Sequence, residues 1–184
     1  QATGIEQRVH PTMVPKHWSI AQVMGVTNAV NVVADVVGEM TLVGPGAGGN
    51  ATASSVLSDL VDIARGSPVA PLGLPSTALA HAERAPMQRH EGGYYIRLTV
   101  RDRPGAAAGI ATRMAEQQIS LESIVQKRPP ASRAADPAGK AGTPVPVVLI
   151  TYATTETAIR QALDAVMADG HIAEPPQLIR IERG

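Results

Sequence analysis

YYIRLTVRDRPG, residues 94–105, is the stretch that decides the fold. Over its first eight residues polar and apolar side chains alternate, so Ile96, Leu98 and Val100 share one face of a half-buried strand. Pro104 stands where a helix begins, and apolar residues follow at helical spacing, at Ala107, Ile110, Ala111 and Met114. The stretch therefore predicts a strand, a turn at residues 102–105 and a helix.

Toward the C-terminus the pattern predicts three more strands and one more helix. The strands are residues 119–127, the nearly continuous apolar run 145–152 and residues 177–182, and a long loop over 129–144 joins the first two. Thr154 or Thr155 caps a helix whose apolar face is Ile159, Ala162, Leu163, Val166 and Met167. The order βαββαβ is the ferredoxin-like plan, in which two helices cover one face of a four-stranded antiparallel sheet.

Two parts of different composition precede this stretch. Residues 4–14 and 28–43 are rich in Val, with a hairpin turn predicted at 37–39, and residues 51–64 carry an apolar helical face. Residues 67–93 are rich in Pro, Ala and Gly and predict a linker, with a short helix possible over 76–84. We therefore predict an α+β chain with domains at 1–66 and 94–184.

Composition excludes several classes of function. Lys plus Arg and Asp plus Glu number 16 each, so the chain has no positive field for nucleic acid. No run approaches the ~20 apolar residues of a membrane span. The absence of cysteine removes disulfides and fits the cytoplasm. His10 and His17 have no second histidine at metal-ligand spacing, so neither a metal site nor a catalytic residue is predicted.

The turn at residues 102–105 has the chemistry to hold a small zwitterion. It precedes a helix whose first amides lack internal acceptors and therefore suit an anion. Gly105 has no Cβ to block a ligand, and the Asp102 carboxylate suits an ammonium group. The plainer alternative is that Asp102 only caps the helix while Pro104 and Gly105 shape the turn.

The whole second half resembles the ACT family of small-molecule sensors. The shared features are Tyr94-Tyr95, Asp102-Arg103-Pro104-Gly105, Gly109-Ile110-Ala111 and Ile119-Ser120-Leu121-Glu122-Ser123-Ile124. In that family an amino-acid effector binds near the first strand-to-helix turn, where two domains pair edge to edge. The resemblance implies an effector site of Asp102, Arg103, Pro104, Gly105 and Ala106, with Ile119 and Ser120 of the same or a neighbouring domain.

A second motif series lies in the first 65 residues. Gly44-Pro45-Gly46-Ala47-Gly48-Gly49 stands between a predicted strand and a helix, and alone it is either a plain turn or a place where backbone amides approach a ligand. Around it lie Arg8-Val9-His10-Pro11-Thr12, Gly25-Val26-Thr27-Asn28-Ala29-Val30, Thr52-Ala53-Ser54 and Asp59-Leu60-Val61-Asp62-Ile63-Ala64-Arg65. Together they resemble the end of the catalytic region of homoserine dehydrogenase.

That second resemblance implies an oxidoreductase that makes homoserine from aspartate semialdehyde with NADP or NAD, often under threonine inhibition. It implies cofactor contacts at Gly48, Gly46 and Gly49, and a homo-oligomer formed through ACT sheet edges and catalytic-domain strands. The family's Rossmann domain and catalytic lysine are missing from this sequence, so we expect the chain alone to be inactive. The alternative is a free-standing amino-acid-binding regulator that carries a vestigial arm.

Overall fold

The structure, a computed structural model, describes residue 5 and residues 7–66, 70, 72–81, 83–84, 91–126 and 144–183. The chain divides into two compact units, Gln1–Val14 with Arg84–Gly184, and Pro15–Glu83. The strands and α-helices are β1 (Thr12–Met13), β2 (Thr27–Ala34), β3 (Gly38–Pro45), α1 (Gly49–Ala64), β4 (Glu91–Arg101), α2 (Ala106–Glu116), β5 (Leu121–Gln126), β6 (Pro144–Thr151), β7 (Thr154–Thr155), α3 (Glu156–Ala168) and β8 (Gln177–Ile181). The predicted second strand of this half ends at Lys127, and the predicted loop covers residues 129–144. Lys127 and residues 129–143 lie outside the described residues.

The larger unit is built on one sheet with the strand order β1-β8-β4-β6-β5. The pairs β8–β4, β4–β6 and β6–β5 are antiparallel, while β7 pairs with the start of β4. From β4 onward the chain follows the order βαββαβ, apart from the two-residue β7, and its first and third long strands lie at the centre of the sheet. The predicted α+β class and ferredoxin-like second half are therefore confirmed.

One face of β4 is buried beneath both helices. The side chains of Tyr94, Ile96 and Leu98 are 0% exposed, while Arg97 lies on the exposed face. Alternate residues of β6 and one face of each helix complete a single core of Tyr94, Ile96, Leu98, Val100, Ala106, Ile110, Met114, Ile119, Val145, Val147, Leu149, Ile159, Ala162, Leu163, Val166 and Ile172. The alternation predicted for β4 is confirmed.

The buried face of α2 differs from the prediction. The helix begins at Ala106, two residues after Pro104, and it buries Ala106, Ile110 and Met114. Ala107, predicted to lie in the core, is exposed. Residues four apart lie on one face of a helix, so a core that includes Ala106 turns Ala107 toward solvent.

Helix α3 is capped as predicted, but its apolar face is shorter. The Thr155 hydroxyl accepts a hydrogen bond from the Ala158 amide at 3.2 Å. Met167 is 46% exposed, so its place in the predicted core was wrong. The helix predicted over 76–84 was also wrong, because among the described residues of that range only a 3₁₀ turn at Ser76–Ala78 forms. Local propensity alone does not hold so short a helix.

The smaller unit contains a hairpin and a helix. Strands β2 and β3 pair in register from Thr27 opposite Pro45 to Ala34 opposite Gly38, so the predicted hairpin is confirmed with its turn slightly earlier, at residues 35–37. Helix α1 includes the predicted 51–64, but it buries no residue. The large apolar side chains that α1 carries are therefore exposed in the described part of this unit.

The segment that precedes the hairpin lies on the larger sheet. Strand β1 runs parallel to β8, with Thr12 beside Arg180 and Met13 beside Ile181. The amide of Glu182 donates to the Met13 carbonyl at 2.9 Å. The structure thus groups residues up to Val14 with the second half, while the domain boundaries at 66 and 93 remain predictions.

A buried carboxylate holds charged groups together beside β1. Glu156 is 7% exposed and accepts hydrogen bonds from Arg160, at 2.6 Å to Nη2, and from Arg180. Arg180 Nη1 also donates to His10 Nε2 at 3.0 Å. Burial raises the pKa of Glu156, but the hydrogen bonds from Arg180 and Arg160 outweigh it and hold the pKa below its ordinary value of 4.5.

We expect Ile96→Val to destabilise the protein by about 0.5–1.5 kcal/mol, because it removes a methylene group from a fully packed site. The matched control is Ile124→Val on edge strand β5, where the side chain is 47% exposed and the loss should be smaller. Urea unfolding followed by circular dichroism measures both. Equal losses at the two positions would contradict the placement of the core.

We expect Glu156→Gln to lower the free energy of unfolding at pH 7 by about 1–3 kcal/mol, because two guanidinium groups lose a charged acceptor. Glu156 binds protons less readily when folded than when unfolded, so its contribution is complete above pH 4.5 and disappears as pH falls through the folded-state pKa. The difference between wild type and variant should therefore shrink on acidification. A difference that stays constant down to about pH 2 would count against this. Glu116→Gln, at an exposed ion pair, serves as the control.

Candidate functional site

The first candidate site is the turn that joins β4 to α2. The end of β4 is held by hydrogen bonds from the Arg101 amide to the His171 carbonyl at 2.9 Å and from the Ala173 amide to the Thr99 carbonyl at 2.8 Å. Gly105 then adopts the left-handed conformation, with φ 88°, and its carbonyl accepts the first helical hydrogen bond, from Gly109 at 2.9 Å. This φ favours glycine over residues with a Cβ.

Asp102 is not the helix cap. The capping residue is Gly105, and no side chain caps the helix end. Asp102 is exposed, and one of its oxygens lies 3.5 Å from the Gln126 amide nitrogen, a long hydrogen bond. The alternative in which Asp102 only caps α2 is therefore wrong.

The turn exposes the start of α2 as an amide-rich surface. Residues 102–105 are all exposed, whereas Ala106 is 4% exposed and belongs to the core. The amides of Ala107 and Ala108 precede the first hydrogen bond of the α-helical type, which Gly109 makes. A carboxylate that approached this helix end would meet N–H donors and the positive end of the helix dipole.

The structure does not bring Ile119 and Ser120 to this turn. Ile119 is 5% exposed and its amide donates to the Met114 carbonyl at 3.0 Å, while the Ser120 carbonyl accepts from Tyr152 at 3.0 Å. Leu121, at the start of β5, pairs with Thr151 at one end of β6. Arg101, at the end of β4, pairs with Pro144 at the other end of β6. Strands rise ~3.3 Å per residue, so the two groups lie ~20 Å apart at opposite ends of the sheet.

The second candidate site is the glycine loop between β3 and α1. A Cβ on Gly46 would overlap the side-chain amide of Asn28, so a larger residue there requires Asn28 to move. Gly48 caps α1 with φ 132°, where side chains are strained, and a Cβ added there or on Gly49 would meet open space. The Gly48 carbonyl accepts from the Thr52 amide at 3.1 Å. The loop thus leaves the backbone at the start of α1 open.

Sequence reasoning missed the cluster formed by His10, Glu156 and Arg180. The sequence predicted neither a metal-ligand nor a catalytic role for His10, and the structure places its Nε2 atom 3.0 Å from Nη1 of Arg180. The two residues are 170 positions apart in the sequence. No local pattern signals such a contact, although His10 lies in a motif that the family resemblance had already singled out.

Among the residues that the structure describes, no group of three or more His, Asp or Glu side chains is arranged to hold a metal ion. Within the same residues, no helix has the length and apolar character needed to cross a membrane.

Two protein-family profiles match the chain, one for each half. The family described as homoserine dehydrogenase matches residues 1–61, and the ACT domain family matches residues 94–166. The two matches contain the glycine loop and the turn after β4, respectively. Each of the two candidate sites therefore lies in a segment with its own family match.

Individual relatives match over nearly the whole chain. Homoserine dehydrogenase from Pseudomonas aeruginosa is 37% identical over 98% of this chain and 41% of its own length. The enzyme of the same name from Neisseria gonorrhoeae is 35% identical over 97% of this chain and 40% of its own length. The chain thus spans about two fifths of the length of the curated relatives it matches.

A solved structure agrees with these matches. The crystal structure of a homoserine dehydrogenase from Thiobacillus denitrificans is similar with a TM-score of 0.79 and 34% identity, over 99% of this chain and 40% of that one. The family match of the first 61 residues, the ACT match that follows and the partial coverage of the relatives agree with one another. By these findings residues 1–61 match the homoserine dehydrogenase family and residues 94–166 the ACT domain family, and the chain is similar to the C-terminal portion of homoserine dehydrogenases, the end of the catalytic domain followed by an ACT domain.

Proposed function

We propose that this chain is the regulatory end of an NAD(P)-dependent homoserine dehydrogenase, which reduces aspartate semialdehyde to homoserine, and that its ACT domain senses an amino acid, threonine. The observation that carries the proposal is the succession of the two family matches within one chain. Relatives named homoserine dehydrogenase that match along almost the whole chain support it.

The effector site that we propose is the turn at residues 102–106. The exposed Asp102 carboxylate offers an acceptor for the effector's ammonium group. The free amides at the start of α2 offer donors for its carboxylate. Gly105, with its left-handed backbone and open surroundings, leaves room for the ligand between these two groups. A zwitterion that carries its ammonium and carboxylate groups on one carbon atom is the class of ligand that suits this pairing.

A second copy of the chain completes this site in our proposal. Ile119 and Ser120 lie ~20 Å from the turn within one copy, so they reach it only from a neighbouring domain. Strand β5 is the last of the described strands on its side of the sheet, and its outer edge is the one proposed to meet such a neighbour. The uncovered strands of the hairpin offer a second contact for a homo-oligomer.

The glycine loop has its proposed role in the complete enzyme, as a cofactor contact. Gly48 and Gly49 present open backbone at the start of α1, where amides suit the polar groups of NADP or NAD. Gly46 is constrained by Asn28 and supports the shape of the loop. By itself the chain is proposed to be inactive, because it spans about two fifths of its relatives.

The second candidate function is a free-standing amino-acid sensor. The observation that favours it is the position of the core, whose members all lie between Tyr94 and Ile172. The sensor half thus has a core of its own and does not need the hairpin to bury one. In this alternative the first half is an arm without a catalytic role.

We expect the 184-residue chain to bind L-threonine in titration calorimetry, and Asp102→Asn to weaken binding tenfold or more, since hydrogen bonds to charged groups contribute about 1.5–3 kcal/mol. Asp164→Asn, the same change at an exposed position of α3, is the matched control and should bind as the wild type does. The absence of heat with every amino acid at millimolar concentration would overturn the sensor proposal.

We expect no oxidation of NADPH by the chain alone with aspartate semialdehyde. A longer chain translated from the DNA upstream of Gln1 should restore hydride transfer, because the missing part of the relatives' length would then be supplied. If the longer chain binds threonine but transfers no hydride, the free-standing sensor is the correct function. Hydride transfer by the 184-residue chain itself would show that the division of roles is wrong.

A further inference from the structure

A cleft rich in arginine lies between the N-terminal segment, β8 and the start of α3. Its volume is about 300 Å³, and it is lined by Arg8, Val9, His10, Pro11, Glu156, Arg160, Leu178 and Arg180. Arg180 is paired with Tyr94 near the start of β4, whereas the effector turn follows the other end of that strand. At ~3.3 Å per residue the cleft is ~20 Å from the turn and is a separate site.

The charges that line the cleft are unequal. Arg8, Arg160 and Arg180 bring three positive charges, and Glu156 brings one negative charge. Glu156 holds Arg160 on Oε1 and Arg180 on Oε2, which fixes both guanidinium groups beside the same carboxylate. The side chain of Arg180 is only 11% exposed, so its charge acts where water screens it poorly.

His10 contributes a neutral group to the wall. Arginine cannot accept a hydrogen bond, so Arg180 Nη1 donates to His10 Nε2, which must then carry no proton. The proton lies on Nδ1, which donates to the Pro11 carbonyl at 3.0 Å and faces the Thr12 hydroxyl at 2.8 Å. One N–H group of Arg180 therefore has an uncharged acceptor. An anionic ligand is a stronger acceptor and would take the place of the imidazole.

Size and surroundings limit the class of ligand. The volume is at the lower end of the range for small-molecule sites, and guanidinium forks bind carboxylate and phosphate groups in bidentate geometry. Val9, Pro11 and Leu178 supply apolar wall, and the described residues that line the cleft include no Phe, Tyr or Trp ring. We propose that this cleft binds the oxyanion group of a small metabolite, a carboxylate or a phosphate, between the N-terminal segment and the ACT domain.

A ligand in this cleft would link two parts of the chain with different family matches. Arg8 and His10 belong to the homoserine dehydrogenase match, while Glu156 and Arg160 belong to the ACT match. An oxyanion bound by Arg8 and Arg160 together would strengthen the attachment of β1 to β8. The cleft is thus proposed as a second ligand site in the regulatory half. This proposal does not depend on threonine being the effector at the turn of residues 102–106.

Titration calorimetry of the full 184-residue chain at constant ionic strength tests this, with sodium phosphate and sodium succinate as separate probes. We expect saturable binding of one probe per chain, and the probe that binds tells whether phosphate or carboxylate is the source. Arg160→Gln should weaken binding tenfold or more, and its side chain is 64% exposed, so the fold should survive its loss. Arg8→Gln should weaken binding to a similar extent.

Arg97→Gln is the matched control, because Arg97 is exposed on the opposite face of the sheet. It should bind as the wild type does, and Asp102→Asn should also retain oxyanion binding even though its threonine binding is weakened. Circular dichroism of each variant without ligand confirms the fold. The proposal is overturned if neither probe gives saturable heat, or if the arginine variants and Arg97→Gln weaken binding equally.

Discussion

The burial of one face of β4 is the constraint on which the larger unit depends. Tyr94, Ile96 and Leu98 have no exposed surface, and both α2 and α3 contribute to the core that covers them. Because side chains alternate along a strand, this burial also determines which residues of β4 lie on the other face. The turn after β4 therefore stands at the edge of the core, where the backbone can be exposed without opening it.

This geometry also explains why the residues of the proposed effector site do not all meet within one chain. Helix α2 returns the chain to the opposite end of the sheet before β5 begins, so Ile119 and Ser120 cannot meet Asp102 in the same copy. Among the described strands, β5 lies at the edge of the sheet, and this is the complementary feature. A site shared between copies couples ligand binding to association, since each stabilises the other.

The smaller unit differs from the larger one in how it is stabilised. Its hairpin and α1 have regular hydrogen bonding but bury no core of their own, and Val33, Leu57 and Ile63 are each at least 60% exposed. A two-stranded hairpin alone is marginally stable in water. Exposed apolar surface of this kind is expected of strands that belong to a larger sheet. The relatives are more than twice as long as this chain, which agrees with that expectation.

The sequence by itself determined the α+β class, the hairpin, the place of α1 and the strand-turn-helix at residues 94–114, because each depends on local periodicity and turn chemistry. It mistook the faces of Ala107 and Met167, since the rotation of a helix is decided by the surface against which it packs. Only the tertiary structure separated Ile119 from Asp102, and only it joined His10 to Arg180 across 170 positions. Contacts of that kind follow from strand order and register, which no local pattern encodes.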